Sequence, residues 1–65
     1  MLDVAAALER LAREDASSAE VARFRLFAGS SIEEAAEALG VSRATAFPEW
    51  AYARSWLATT LDSDR

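Results

Sequence analysis

Reactive side chains are few in this sequence: seven arginines, eleven carboxylates and a scatter of serine and threonine hydroxyls, with no histidine, cysteine or lysine. Without histidine the chain lacks the commonest general base and metal ligand, and without cysteine it has no thiolate nucleophile and no disulfide. A nucleophile would have to be a serine or threonine activated by a carboxylate, yet every hydroxyl sits where it caps a helix or lies near the C-terminal end. Adjacent acids such as Glu33 and Glu34 point apart on a helix and form no working acid–base pair. No enzyme activity, cofactor or metal is therefore expected, and binding is the chemistry left. Arg43 and Arg54 offer forked guanidinium groups suited to phosphate, or else are solvated surface arginines. Ser42 and Thr45 can reach a phosphate or a base edge, and serve equally well as caps. Ser31, with the amides behind it, forms a helix N-terminus of the kind that attracts anions.

Helices must position these groups. Alanine makes up about a quarter of the chain beside Leu, Glu and Arg, whereas two Gly and one Pro leave little turn chemistry for hairpins. Val4, Leu8 and Leu11 fit one face of a first helix over about residues 2–14. Ser17 followed by Glu20 reads as a capping box for a second, over about 18–28, that carries Val21, Phe24 and Phe27 inward and stops at Gly29. Ser31 and Glu34 repeat the box ahead of Ile32, Ala35, Ala36 and Leu39, the stripe of a short third helix ended by Gly40. Val41 then plugs the core and Ser42 caps, after which Ala46, Trp50, Ala53, Leu57 and Leu61 form the inner face of a long fourth helix. Pro48 interrupts that helix. It lacks an amide and presses on the carbonyl of Ala44, so either the helix kinks there or its regular part begins at Pro48.

Sixty-five residues suffice for one small domain, which buries only about 60% of the surface its unfolded chain would expose. With 52% hydrophobic and 28% charged residues it should fold, over residues 1–61, with 62–65 as a frayed tail. Leu39, Val41, Trp50 and Leu57 are the expected core contacts. The aromatics Phe24, Phe27, Trp50, Tyr52 and Trp56 exceed what so thin a core can hide, so one or two mark a partner surface. Glu33, Glu34 and Glu37 read as the solvated outer face of the third helix. A net charge of −4 repels phosphate at long range, and any DNA contact must come from a local arrangement. No apolar run is long enough to span a bilayer and Met1-Leu2-Asp3 lacks a signal peptide's basic start, so a cytoplasmic chain with no membrane partner is expected.

A helix of about eight residues, a tight Gly turn and a longer helix are what a helix-turn-helix requires, here at about residues 31–57, although an ordinary helical hairpin needs the same Gly and plug. The segment Arg25-Leu26-Phe27-Ala28-Gly29 leads into Ser31-Ile32-Glu33-Glu34-Ala35-Ala36-Glu37-Ala38-Leu39-Gly40-Val41-Ser42-Arg43-Ala44-Thr45. This run resembles region 4 of bacterial sigma factors of the extracytoplasmic-function (ECF) group, with its S/T-x-x-E-x-A-x-x-L-G-hydrophobic-S-x-x-T helix-turn-helix. Trp50-Ala51-Tyr52-Ala53-Arg54-Ser55-Trp56-Leu57 is similar to a subgroup whose last helix carries W-x-x-A-R-x-W-L. The resemblance implies an all-α, four-helix region-4-like domain that reads the upstream promoter element with its second motif helix and grips the flap of the RNA polymerase beta subunit. It puts Ser31, Ser42, Arg43, Thr45, Phe47, Glu49 and Arg54 at the DNA. No counterpart of region 2 occurs in these residues, so a region-4 share of the work is what is implied.

Two departures matter. Ser30 stands where the family usually has Leu or Met, and Phe47-Pro48-Glu49 replaces Lys, Arg and other polar residues on the DNA-facing stretch. In a major groove Phe47 offers only apolar contact to a thymine methyl, and Glu49 repels phosphates and accepts a bond only from cytosine. DNA binding by this domain alone is thus expected to be weak. The alternative is a protein-interaction module that binds the polymerase flap, an anti-sigma protein or itself.

Overall fold

In the computed structural model, which describes residues 2–63, the chain forms four helices: α1 (Val4–Glu14), α2 (Ala16–Leu26), α3 (Ile32–Leu39) and α4 (Arg43–Ser63), with no strand among those residues. The all-α expectation holds, and the caps explain each boundary. Asp3 opens α1 because its carboxylate accepts the Ala6 N–H at 2.8 Å. Asp15 then does two jobs. Its own N–H bonds the Leu11 carbonyl at 2.7 Å, closing α1, while its side chain accepts the Ser18 N–H at 3.1 Å, opening α2. The expected Ser17–Glu20 box is therefore corrected: α2 starts earlier, Ser17 lies exposed inside the helix rather than capping it, and Glu20 lies 3.9 Å from Arg23. Aspartate caps as well as serine does, and burial of Ser18 and Ala19 selects the earlier register.

Phe27 is also corrected. Helix α2 ends at Leu26, so the helical spacing that would turn Phe27 inward stops short of it, and its surface is 61% exposed. The Ser31–Glu34 box is present as expected, with the Glu34 N–H on Ser31 Oγ at 3.0 Å and the Ser31 N–H on Glu34 Oε1 at 2.8 Å. Gly40 ends α3 at φ +72°, a left-handed conformation that glycine adopts without steric cost.

Helix α4 runs unbroken through Pro48. Both Pro48 and Ala44 lie on the exposed side, so the Ala44 carbonyl deprived of its donor can bond water instead. At the far end α4 continues through Ser63, because Leu61 still packs on the core; Asp62 and Ser63 are helical rather than frayed, and Asp64 and Arg65 lie outside the described residues.

The central helices are α2 and α4. Each of α1 and α3 touches both, and α1 and α3 do not approach one another within the described residues. The main core is Ala7, Leu8, Leu11, Ala19, Ala22, Ala53 and Leu57, with Trp50, Trp56 and Leu61 packed at its edge. Of the expected core contacts only Leu57 is buried; Leu39, Val41 and Trp50 are half-buried. Among the described residues, seven of the eleven buried apolar side chains are alanine, so the helices approach closely and few large side chains carry the packing. Trp56 ties the ends together by donating its indole N–H to Glu14 at 2.8 Å.

Candidate nucleic-acid interface

The segment from Ser31 to Arg54 is built around one turn. Ala36, 2% exposed, lets the chain after α3 pass closely over it, and the Val41 N–H reaches back to the Ala36 carbonyl at 3.0 Å. Gly40 N–H bonds the Glu37 carbonyl at 3.2 Å, and the chain enters α4 at Ser42. There the Ser42 hydroxyl accepts the Thr45 N–H at 3.2 Å and donates to Thr45 Oγ1 at 3.1 Å. Ser42 thus caps the start of α4, Thr45 accepts its hydroxyl proton, and both side chains are still exposed. Ser31 is likewise occupied by its capping box. That box has an electrostatic effect: the Ser31 amide, and after it the Ser31 hydroxyl, hold the Glu34 carboxyl below its ordinary value of 4.5.

Arg43, in the first turn of α4, has a side chain 70% exposed and stands 3.9 Å from Glu33 across the turn. At that separation and exposure the pair is worth under about 1 kcal/mol, and phosphate can displace it. Arg54 is exposed about three turns further on. Phe47 is 45% exposed, with Pro48 beside it also exposed. Glu49 is placed differently from these. Two residues past Phe47 it is turned by about 200° around the helix axis, and it is half-buried, with Oε1 out of solvent and without a hydrogen-bond partner. Phe47 and Glu49 therefore do not share a face, which corrects the expectation that Phe47-Pro48-Glu49 presents itself as one surface. The helix-turn-helix brings together Arg43, Phe47 and Arg54 along one side of α4, while Thr45 and Glu49 lie on the other.

Arg25 is the residue whose role the spacing alone did not single out. Its Nη1 donates to the Ser30 carbonyl at 3.0 Å and its guanidinium lies over the Trp50 ring, 5.2 Å from the centroid. It fastens the loop before α3 to the body of α4. The signal was available, since Arg25 follows the buried Val21 and Ala22 by four and three residues and so falls on the inner face of α2.

Among the described residues no cluster of acids is arranged to hold a metal ion, and no helix is long and apolar enough to cross a membrane. No curated protein and no solved structure matches the chain. A family model does, the one described as ECF sigma factor, over residues 1–63. That span takes in all four helices, including α1, which carries no motif of its own. A glycine-turned α3–α4 pair, fastened by Arg25 and matched through almost its whole length, assigns this chain to the ECF sigma factor family and to a role in transcription initiation.

Proposed function

We propose that the chain is the region-4 module of an ECF sigma factor: it recognises the upstream promoter element through the first half of α4 and docks on the RNA polymerase beta flap, in the cytoplasm. The observation that carries this reading is the Gly40 turn, which leaves the start of α4 exposed with Arg43 in its first turn. In the proposed complex Arg43 and Arg54 meet phosphates, while Ser31 and Ser42 add hydroxyls at two helix starts. With so few cations on a chain of net charge −4, the affinity of the domain alone is low.

A second reading has a specific observation behind it. Leu26, Phe27 and Tyr52 are each about half exposed or more, which suits a protein-interaction module with an anti-sigma protein or a second copy as partner. Titration of duplex DNA at several salt concentrations separates the two. The parent should bind with Kd of about 10⁻⁴ to 10⁻⁶ M and a shallow salt dependence. The triple variant Phe47→Lys, Pro48→Arg, Glu49→Asp should deepen the slope by about two charges. If neither protein binds duplex DNA, the promoter reading fails and the interaction module takes its place.

A further inference from the structure

We infer that α4 selects thymine by its C5-methyl group, with Phe47 as the specificity-determining contact and Arg43 and Arg54 on the flanking phosphates; the inference rests on the promoter-binding reading above. The argument starts from the angular positions on α4. At about 100° per residue, Arg43, Ala51 and Arg54 all lie within about 40° of Phe47 around the axis. All four side chains are exposed. The polar side chains of the same stretch that could read a purine edge, Thr45 and Tyr52, stand more than about 100° away, and so does Glu49. The strip that an approaching groove would meet therefore has a guanidinium at each end and only carbon between them.

The spacing suits a duplex. Arg43 precedes Phe47 by one turn and Arg54 follows it by two, so the two arginines are about 16 Å apart along the helix axis, enough to bracket a major groove about 12 Å wide. Between them the groove offers acceptors, donors and a single apolar group, the thymine methyl. Phe47 and the methyl of Ala51 can bond none of the first two and can bury the third. Glu49 does not oppose this approach, because its carboxylate is on the other flank and partly withdrawn from solvent. Pro48, which replaces a chain amide without adding a polar group, leaves the carbon strip intact.

The test uses the 65-residue chain and removes the methyl without touching the base pair. A duplex is first selected from a random pool at low salt; its thymines are then replaced singly by uracil, and its cytosines by 5-methylcytosine. The selected duplexes should be thymine-rich opposite α4. One uracil at the contacted position should weaken binding about fourfold, the worth of one buried methyl group, and 5-methylcytosine placed there should recover part of the loss relative to cytosine. Phe47→Ala, a change at an exposed position that leaves the fold intact by circular dichroism, should bind thymine and uracil duplexes alike. Selected duplexes that bind equally with uracil overturn the methyl inference and leave promoter binding standing. Retention of the thymine preference by Phe47→Ala overturns Phe47 as its source. Failure to enrich any duplex overturns both the inference and the reading beneath it.

Discussion

Arg25 and Glu34 show how single side chains set up the motif before any ligand arrives. Arg25 turns its charge inward, to the Ser30 carbonyl and the Trp50 ring, so it is withdrawn from any phosphate and given to holding α3 against α4. Glu34 holds the start of α3 by closing the box with Ser31, and the Ser31 amide, and after it the Ser31 hydroxyl, make its carboxyl more acidic on folding. A carboxyl whose value is depressed in the folded state stabilises that state fully above its unfolded value, near 4.5, and loses the contribution as the pH falls through the lower folded value. Glu34→Gln keeps an acceptor oxygen and removes the titration. The stability gap between parent and Glu34→Gln, measured by urea unfolding, should be present at neutral pH and should close as the pH drops below the ordinary glutamate range. A gap of constant size down to strongly acid pH would mean that the box draws nothing from the charge.

Among the elements, α4 carries both the packing and the exposed strip, and Pro48 lies where the two meet. A proline in a helix interior costs about 3 kcal/mol, through a lost hydrogen bond and a clash with the carbonyl one turn back. Here Ala44 and Pro48 are both exposed, so the carbonyl left without its donor can bond water and part of the cost is relieved. Pro48→Ala is expected to raise the unfolding free energy by about 1 to 3 kcal/mol without moving the helix ends. Chemical denaturation with circular dichroism measures this, and a variant less stable than the parent would show that the backbone conformation fixed by Pro48 stabilises α4 by more than the lost hydrogen bond costs.

For the molecule as a whole, stability is concentrated at one end. The main core joins α1, α2 and α4, and the largest fully buried apolar side chains are Leu8, Leu11 and Val21. The helix-turn-helix itself contributes small residues, Ala35, Ala36 and Ala46, to a thinner layer. A domain of this size has a total stability of roughly 3 to 10 kcal/mol. Leu8→Ala or Leu11→Ala should remove about 2 to 5 kcal/mol and bring the chain close to unfolding, whereas Leu39→Ala, at a half-buried site, should cost less than either. Thermal melts of the three variants rank them, and a larger loss at Leu39 than at Leu8 would move the centre of stability to the motif. The long axis of 34 Å, close to the length of α4, fits this arrangement of a packed end and an exposed end on one helix.

Four helices, their approximate order and the glycine stop at Gly40 could be read from the amino acids alone, because a cap or a left-handed turn is made within three or four residues of itself. The box at Ser31 and Glu34 and the turn at Gly40 are of this kind, and both stand in the structure as the spacing indicates. Local chemistry misled only where two candidates competed, as Asp15 and Ser17 did for the start of α2, and there burial against α1 made the choice. The inward turn of Arg25, the exposure of Phe27, the half-burial of Glu49 and the seat of the core between α1, α2 and α4 needed the tertiary fold. Each depends on which helix faces which, through contacts such as Arg25 on Trp50 and Trp56 on Glu14 that join residues far apart in the chain. Helical periodicity gives the angle of each side chain about its own axis; the packing of the four axes decides which of those angles point to core, to solvent or to the strip offered for DNA.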